Sequence, residues 1–91
     1  PEKFTEGTFN LLAIGVLANH QGKGIGNTMM NFLEKLLKDL AVRVLIIETS
    51  GGDEFELTRK FYKDLNYTEE AVIRDFWQDG EDKVIFWKKL N

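Results

Sequence analysis

Cysteine is absent from the 91 residues, which removes disulfide cross-links, thiolate metal sites and a cysteine nucleophile together. Proline is nearly absent: Pro1 is the only one, so none interrupts a helix or strand further on. Long apolar runs are missing, since no stretch approaches the roughly 20 residues needed to span a bilayer. Pro1-Glu2-Lys3 also lacks the basic and apolar regions of a signal peptide. The expectation is a soluble, cytoplasmic protein with no membrane partner. An excess of positive charge is lacking as well. The formal net charge is -3, with acidic and basic residues interleaved, and no basic stripe invites nucleic acid.

What is present suits one small globular domain: 43% of the residues are hydrophobic and 30% charged. A chain of this length buries about 60 to 65% of the surface its unfolded form exposes, enough for one modest core and little spare stability. The sequence opens at Pro1 without an initiator methionine and enters an apolar run almost at once. Further sequence is therefore expected on the N-terminal side.

Thr8 to Leu17 is nearly all apolar and ends at the turn formers Asn19 to Gly22, which reads as a strand buried on both faces. From Ile25, apolar residues at Met29, Phe32, Leu33, Leu36, Leu37 and Leu40 make an amphipathic helix of about four turns. Val42 to Ile47 is β-branched and apolar, a second buried strand, and Gly51-Gly52 breaks it. Strand, helix and strand form a parallel unit with a right-handed crossover. Asp53 can cap a second helix with Leu57, Phe61 and Leu65 on its apolar side, ending near Asn66 as a left-handed cap. Tyr67 to Trp77 and Lys83 to Leu90 read as two strands around Gln78-Asp79-Gly80-Glu81, where Asp-Gly supplies the positive backbone angles of a tight hairpin. The fold class is α/β, in the order β-α-β-α-β-β, with about four strands in a mixed sheet and two helices.

The connection through Gly22, Gly24 and Gly26 brings backbone N–H groups and the positive end of a helix dipole to one place, which is an anion site. A Cβ there would hold phosphate oxygens away from the amides, and some turn residues need positive φ. Lys23 adds a cation and Gln21 can brace the turn. A glycine-rich connection without any ligand is the alternative from spacing alone. A P-loop is rejected, because Leu17 and Gly24 stand where it needs glycine and Ser or Thr. The dinucleotide fingerprint fits weakly, because Gly22 and Gly24 are followed by Asn27 where it asks for glycine.

Ile14-Gly15-Val16, with His20-Gln21-Gly22-Lys23-Gly24-Ile25-Gly26, resembles the Gln/Arg-x-x-Gly-x-Gly/Ala signature of the GNAT superfamily of acetyl-CoA-dependent N-acetyltransferases. Phe61-Tyr62-Lys63-Asp64-Leu65-Asn66-Tyr67 resembles that family's Phe-Tyr-x-x-x-Gly-Phe/Tyr segment, in the expected order downstream. The resemblance covers almost the whole chain but corresponds to the C-terminal, cofactor-binding part of the family fold. It implies a single GNAT-type domain over residues 1–91 that lacks the N-terminal strands and helices. It further implies coenzyme A pyrophosphate at Gln21, Gly22, Lys23, Gly24, Ile25, Gly26 and Asn27, and the pantetheine arm along Ile14, Gly15 and Val16. Gly15 fits independently, since a glycine inside a strand often marks a bulge or close ligand approach, although packing accounts for it equally well.

The chemistry implied by the resemblance is direct attack of a primary amine on acetyl-CoA, with no acyl-enzyme and no metal. Tyr62 matches the tyrosine that often protonates the departing thiolate, since a phenol with an ordinary pKa of about 10 can donate as charge grows on sulfur. From the helix pattern alone it reads equally as a core tyrosine. Asn10 stands where many members carry the glutamate base, Phe55 where a helix asparagine often holds the pantetheine arm, and Asn66 where glycine is usual. Asparagine cannot accept the amine's proton, so a water chain or a carboxylate in the absent part is expected to do so.

The remaining candidates have plainer readings. His20, the only histidine, reads as a solvated loop residue. Glu48, Asp53, Glu54 and Glu56 form an acidic group that could attract a cationic amine, yet acids also stabilise helix starts. Phe76, Trp77, Phe86 and Trp87 could line an acceptor pocket, but they read more simply as cross-strand packing in a small core. The function expected is N-acetyl transfer to an amine-bearing small molecule or peptide. The alternative is a GNAT-like module that binds coenzyme A or another protein without turnover. A homodimer or the absent N-terminal segment is expected to cover the free sheet edge.

Overall fold

A computed structural model of the chain describes residues 5–12 and 25–91. The described elements are strand β1 (Thr8–Leu12), helix α1 (Ile25–Asp39), strand β2 (Val44–Ser50), a 3₁₀ turn (Asp53–Phe55), helix α2 (Glu56–Asp64), strand β3 (Thr68–Gln78) and strand β4 (Glu81–Lys89). The order matches the sequence reading. The spatial arrangement adds what that reading left open: the four strands lie as β1-β2-β4-β3, so β4 inserts between β2 and β3. β1 pairs with β2 in parallel from Thr8 opposite Val44 to Leu12 opposite Glu48. β4 runs antiparallel to both its neighbours.

Alternation along β2 decides where the core lies. Leu45, Ile47 and Thr49 are buried, whereas Val44, Ile46 and Glu48 on the other face are only half-buried. Phe86 and Val84 of β4 stand opposite Ile47 and Thr49 and share the buried face. Met30 and Leu37 from α1, and Phe61, Tyr62 and Tyr67 from α2 and its C-terminal end, complete one apolar cluster there. Both helices therefore pack on the same side of the sheet.

Three expectations change. β1 is an edge strand among the described residues, and Thr8 to Leu11 are half-buried instead of enclosed on both faces. α1 is rotated so that Gly26, Met30, Leu33 and Leu37 meet the sheet, while Met29, Phe32, Leu36 and Leu40 face outward, Phe32 being 70% exposed. The apolar residues of α1 are wider than one stripe, and periodicity alone does not choose which part of them docks. In α2, Leu57 is exposed and Thr58 takes the buried position one residue on.

Backbone details adjust the end signals. Asp53 does not cap the second helix. Gly52 precedes the 3₁₀ turn without any side-chain cap, and Ser50 Oγ accepts the Gly52 N–H at 3.0 Å instead. Asn66 does adopt the left-handed conformation, φ 71°, and the Tyr67 N–H closes onto the Tyr62 carbonyl at 3.0 Å, a helix-ending bond across the left-handed residue. In the hairpin, Gly80 has φ +83° but Asp79 is not positive; the second positive angle falls at Asp75. There β3 bulges, advancing from Ile73 to Gln78 while β4 advances only from Lys83 to Glu81. Asp75 stabilises the bulge by accepting the Gly80 N–H at 2.9 Å.

Candidate functional site

Because β1 and β2 are parallel, their C-terminal ends lie at the same end of the sheet, the end from which the chain enters α1 and α2. Open α/β sheets bind ligands at such an end. The first turn of α1 contains Ile25, Gly26 and Asn27 and no acidic residue that would oppose an anion. Gly26 is buried against the core and Asn27 is exposed. The remaining cofactor residues expected from the sequence, Ile14, Gly15, Val16, Gln21, Gly22, Lys23 and Gly24, lie outside the described residues, as does His20.

Glu48 separates from the acidic group in which the sequence placed it. Asp53, Glu54 and Glu56 are exposed at the start of the helical segment, whereas Glu48 is half-buried near the end of β2. Its Oε1 pairs with Lys83 Nζ at 2.6 Å, and its Oε2 accepts a hydrogen bond from the Asn10 side-chain amide. Burial pushes the carboxyl up, but hydrogen bonds from Asn10 and Lys83 and the Lys83 charge outweigh it and hold the group below its ordinary value. Glu48 is thus a preoriented carboxylate, ionised at neutral pH, on the sheet face that no described helix covers. Lys83 is itself steadied by lying over the Phe76 ring, 4.2 Å from its centroid. Each carboxylate oxygen retains lone-pair capacity for one further donor.

Tyr62 occupies the opposite face. Its ring lies edge-on to Phe61 and Tyr67, at 5.0 and 5.6 Å, and 5.8 Å from Phe86. Only 1% of the residue is exposed, and its hydroxyl has no hydrogen-bond partner among the described residues. Desolvation pushes its pKa up to about 12, so the phenol stays protonated through the neutral range. The hydroxyl of Thr49, buried on the same face, is likewise unpartnered among the described residues. A buried donor without an acceptor costs about 1–3 kcal/mol, so two such groups on one face call for a polar partner.

Arg59 fixes the loop between β2 and α2 by donating through Nη1 to the carbonyls of Ser50 at 3.0 Å and Gly52 at 2.8 Å. Phe55 is half-buried at the foot of α2. Of the aromatic residues read as packing, Phe86 enters the core, while Phe76 and Trp77 pack on each other along one strand, ring centroids 4.8 Å apart, in the bulged part of β3. Among the described residues no group of three or more His, Cys, Asp or Glu could hold a metal ion. No described helix is long and apolar enough to cross a membrane.

The sheet order, the helices on one face and the Phe61-Tyr62 pair on α2 agree with a comparison to known families: residues 2–67 match the acetyltransferase (GNAT) family. The chain belongs to that family. Among GNAT relatives, an uncharacterised N-acetyltransferase of Methanocaldococcus jannaschii is 25% identical over 84 residues, which cover 91% of this chain and 53% of that protein. The crystal structure of a GNAT-family chain from Desulfovibrio desulfuricans superposes with a TM-score of 0.90 at 32% identity, covering 100% of this chain and 57% of that one. An aminoglycoside 6'-N-acetyltransferase solved with coenzyme A shares the fold, with a TM-score of 0.67 at 17% identity, over 80% of this chain and 53% of that one. The chain spans about half the length of these GNAT relatives.

The sequence placed Glu48 in an acidic group at a helix start and did not anticipate its pairing with Asn10 and Lys83. The available signal was a single acid directly following the buried β-branched run of β2, a place where an unpaired carboxylate is costly.

Proposed function

We propose that this GNAT chain takes part in transferring an acetyl group from acetyl-CoA to a primary amine on a small molecule or peptide. The observation that carries the reading is Tyr62: its hydroxyl is buried, held protonated by its surroundings and without a partner among the described residues, as a donor reserved for a leaving thiolate would be. Family membership and the coenzyme A complex of a structural neighbour support the choice of donor.

Acetyl-CoA supplies an activated thioester, and the transfer forms a C–N bond as the C–S bond breaks. In this reading the turn from Gln21 to Asn27 holds the pyrophosphate on backbone N–H groups at the α1 N-terminus, and Ile14 to Val16 align the pantetheine arm. Glu48, ionised and fixed by Asn10 and Lys83, receives the proton that the attacking amine gives up. Tyr62 gives its proton or a hydrogen bond to the departing sulfur. Glu48 and Tyr62 belong to opposite faces of one sheet, so in this reading the thioester lies at the C-terminal end of β1 and β2, where the sheet no longer separates the two groups.

The deciding experiment is isothermal titration with acetyl-CoA followed by an amine-panel assay reading free thiol. Binding with amine-dependent thiol release supports acyl transfer. Binding without turnover points to a coenzyme A-binding module, and absence of binding removes the proposal.

A further inference from the structure

A groove of about 320 Å³ lies between the second half of α1 and the C-terminal end of β4, lined by Asn31, Lys35, Lys38, Lys88 and Lys89 among others. It stands apart from the acyl-transfer residues. Lys89 pairs with Val44 at the start of β2, whereas Ile85 pairs with Glu48 near its end, four residues or about 13 Å along the strand.

The distribution of lysines makes the groove unusual. Lys60, Lys63, Lys83 and Lys88 are each within salt-bridge distance of a carboxylate. Lys35, Lys38 and Lys89, the other lysines of the described residues, have no carboxylate partner among them, and all three line this groove. Its floor is fixed: Lys88 Nζ donates to Glu34 Oε1 and to the Leu65 carbonyl, both at 2.9 Å, and Glu34 Oε2 accepts the Tyr67 hydroxyl at 2.6 Å. Lys35 and Lys38 thus line the groove beside Lys88 and a single, already engaged carboxylate, with Lys89 at its strand end, in a chain whose net charge is -3. Lys38 in the last turn of α1 offsets the helix dipole, but Lys35, a turn earlier, has no such role. Like charges gathered at close range repel each other, and a bound anion relieves that repulsion.

We propose that this groove binds a small, multiply charged oxyanion, a polyphosphate or polycarboxylate group, at a site separate from acyl transfer. Its volume is at the lower end of the range for small-ligand sites, about 300–1,000 Å³, which suits an anionic head group. Lysine recognises such groups as a point charge.

The test is amide chemical-shift titration of the protein at low salt, with coenzyme A present to occupy the glycine turn, using tripolyphosphate in one arm and citrate in the other. Saturable shifts are expected at Lys35, Lys38 and Lys88 to Leu90. Affinity should fall steeply with added salt and at least tenfold in the Lys35→Glu/Lys38→Glu variant. Tighter binding of tripolyphosphate assigns the site to phosphate, and tighter binding of citrate assigns it to carboxylate. If the double variant does not fold, Lys35→Ala/Lys38→Ala, at exposed positions of α1, carries the same expectation with a loss of about threefold. Shifts confined to residues 21–27, absence of saturation, or unchanged affinity in the variants overturns the proposal.

Discussion

The side-chain amide of Asn10 on β1 donates to the carboxylate of Glu48 on β2, joining the two parallel strands at the end where the chain enters its helices. Asn10 holds the position at which the family resemblance expects an acid, and the carboxylate that it contacts belongs to the neighbouring strand. The bond orients Glu48 and, with Lys83, keeps it ionised.

Glu48→Gln should lower kcat/KM for amine acetylation by about a hundredfold or more, the usual range for loss of a general base, while acetyl-CoA affinity changes little. Steady-state kinetics beside calorimetry checks this. Unaltered kinetics would remove Glu48 from the mechanism.

The same substitution should change the acid limb of stability. The folded carboxyl titrates below its ordinary value of 4.5, so as pH falls the unfolded chain takes up the proton first. The stabilisation from Glu48 is therefore present above about pH 4.5 and lost as pH falls through the folded value. Urea midpoints measured between pH 7 and 3 should fall less steeply for Glu48→Gln than for the native chain.

Tyr62→Phe should retain cofactor affinity and slow turnover by about ten- to a hundredfold. Its pKa rises from 10.0 to about 12 on folding. Between those values the unfolded chain loses the proton that the folded one keeps, so stability declines as pH rises, by up to about 1.4 kcal/mol per pH unit. Phenylalanine should flatten part of that decline. Tyr67, also raised by burial and by Glu34, should supply the remainder.

Gly24→Glu should abolish acetyl-CoA binding without unfolding the chain, because it brings both a Cβ and a negative charge to the proposed pyrophosphate cradle. Calorimetry with circular dichroism as a folding control measures this, and retained binding would move the cofactor elsewhere.

Asn66→Gly should be neutral or stabilising, whereas Asn66→Ala should cost about 1 kcal/mol, because φ of 71° strains a Cβ that alanine cannot compensate by local hydrogen bonding. Thermal unfolding of the pair provides the comparison.

The sequence by itself determined the local structure. Runs of β-branched residues, helical spacing and glycine at turns gave six elements in order, the left-handed end at Asn66 and the Phe61-Tyr62 pair, because each depends on residues within a few positions of one another. The tertiary structure decided everything that depends on which surfaces meet. β4 inserts beside β2, which no local pattern specifies. α1 docks through Met30, Leu33 and Leu37 and leaves Phe32 and Leu36 outside, although all five are apolar. Glu48 and Asn10 stand 38 positions apart, and only parallel pairing brings the carboxylate to the amide. Hydrogen bonds, ion pairs and burial across such separations arise from packing, so the acid of the proposed site was legible in the helix while its base emerged only from the sheet.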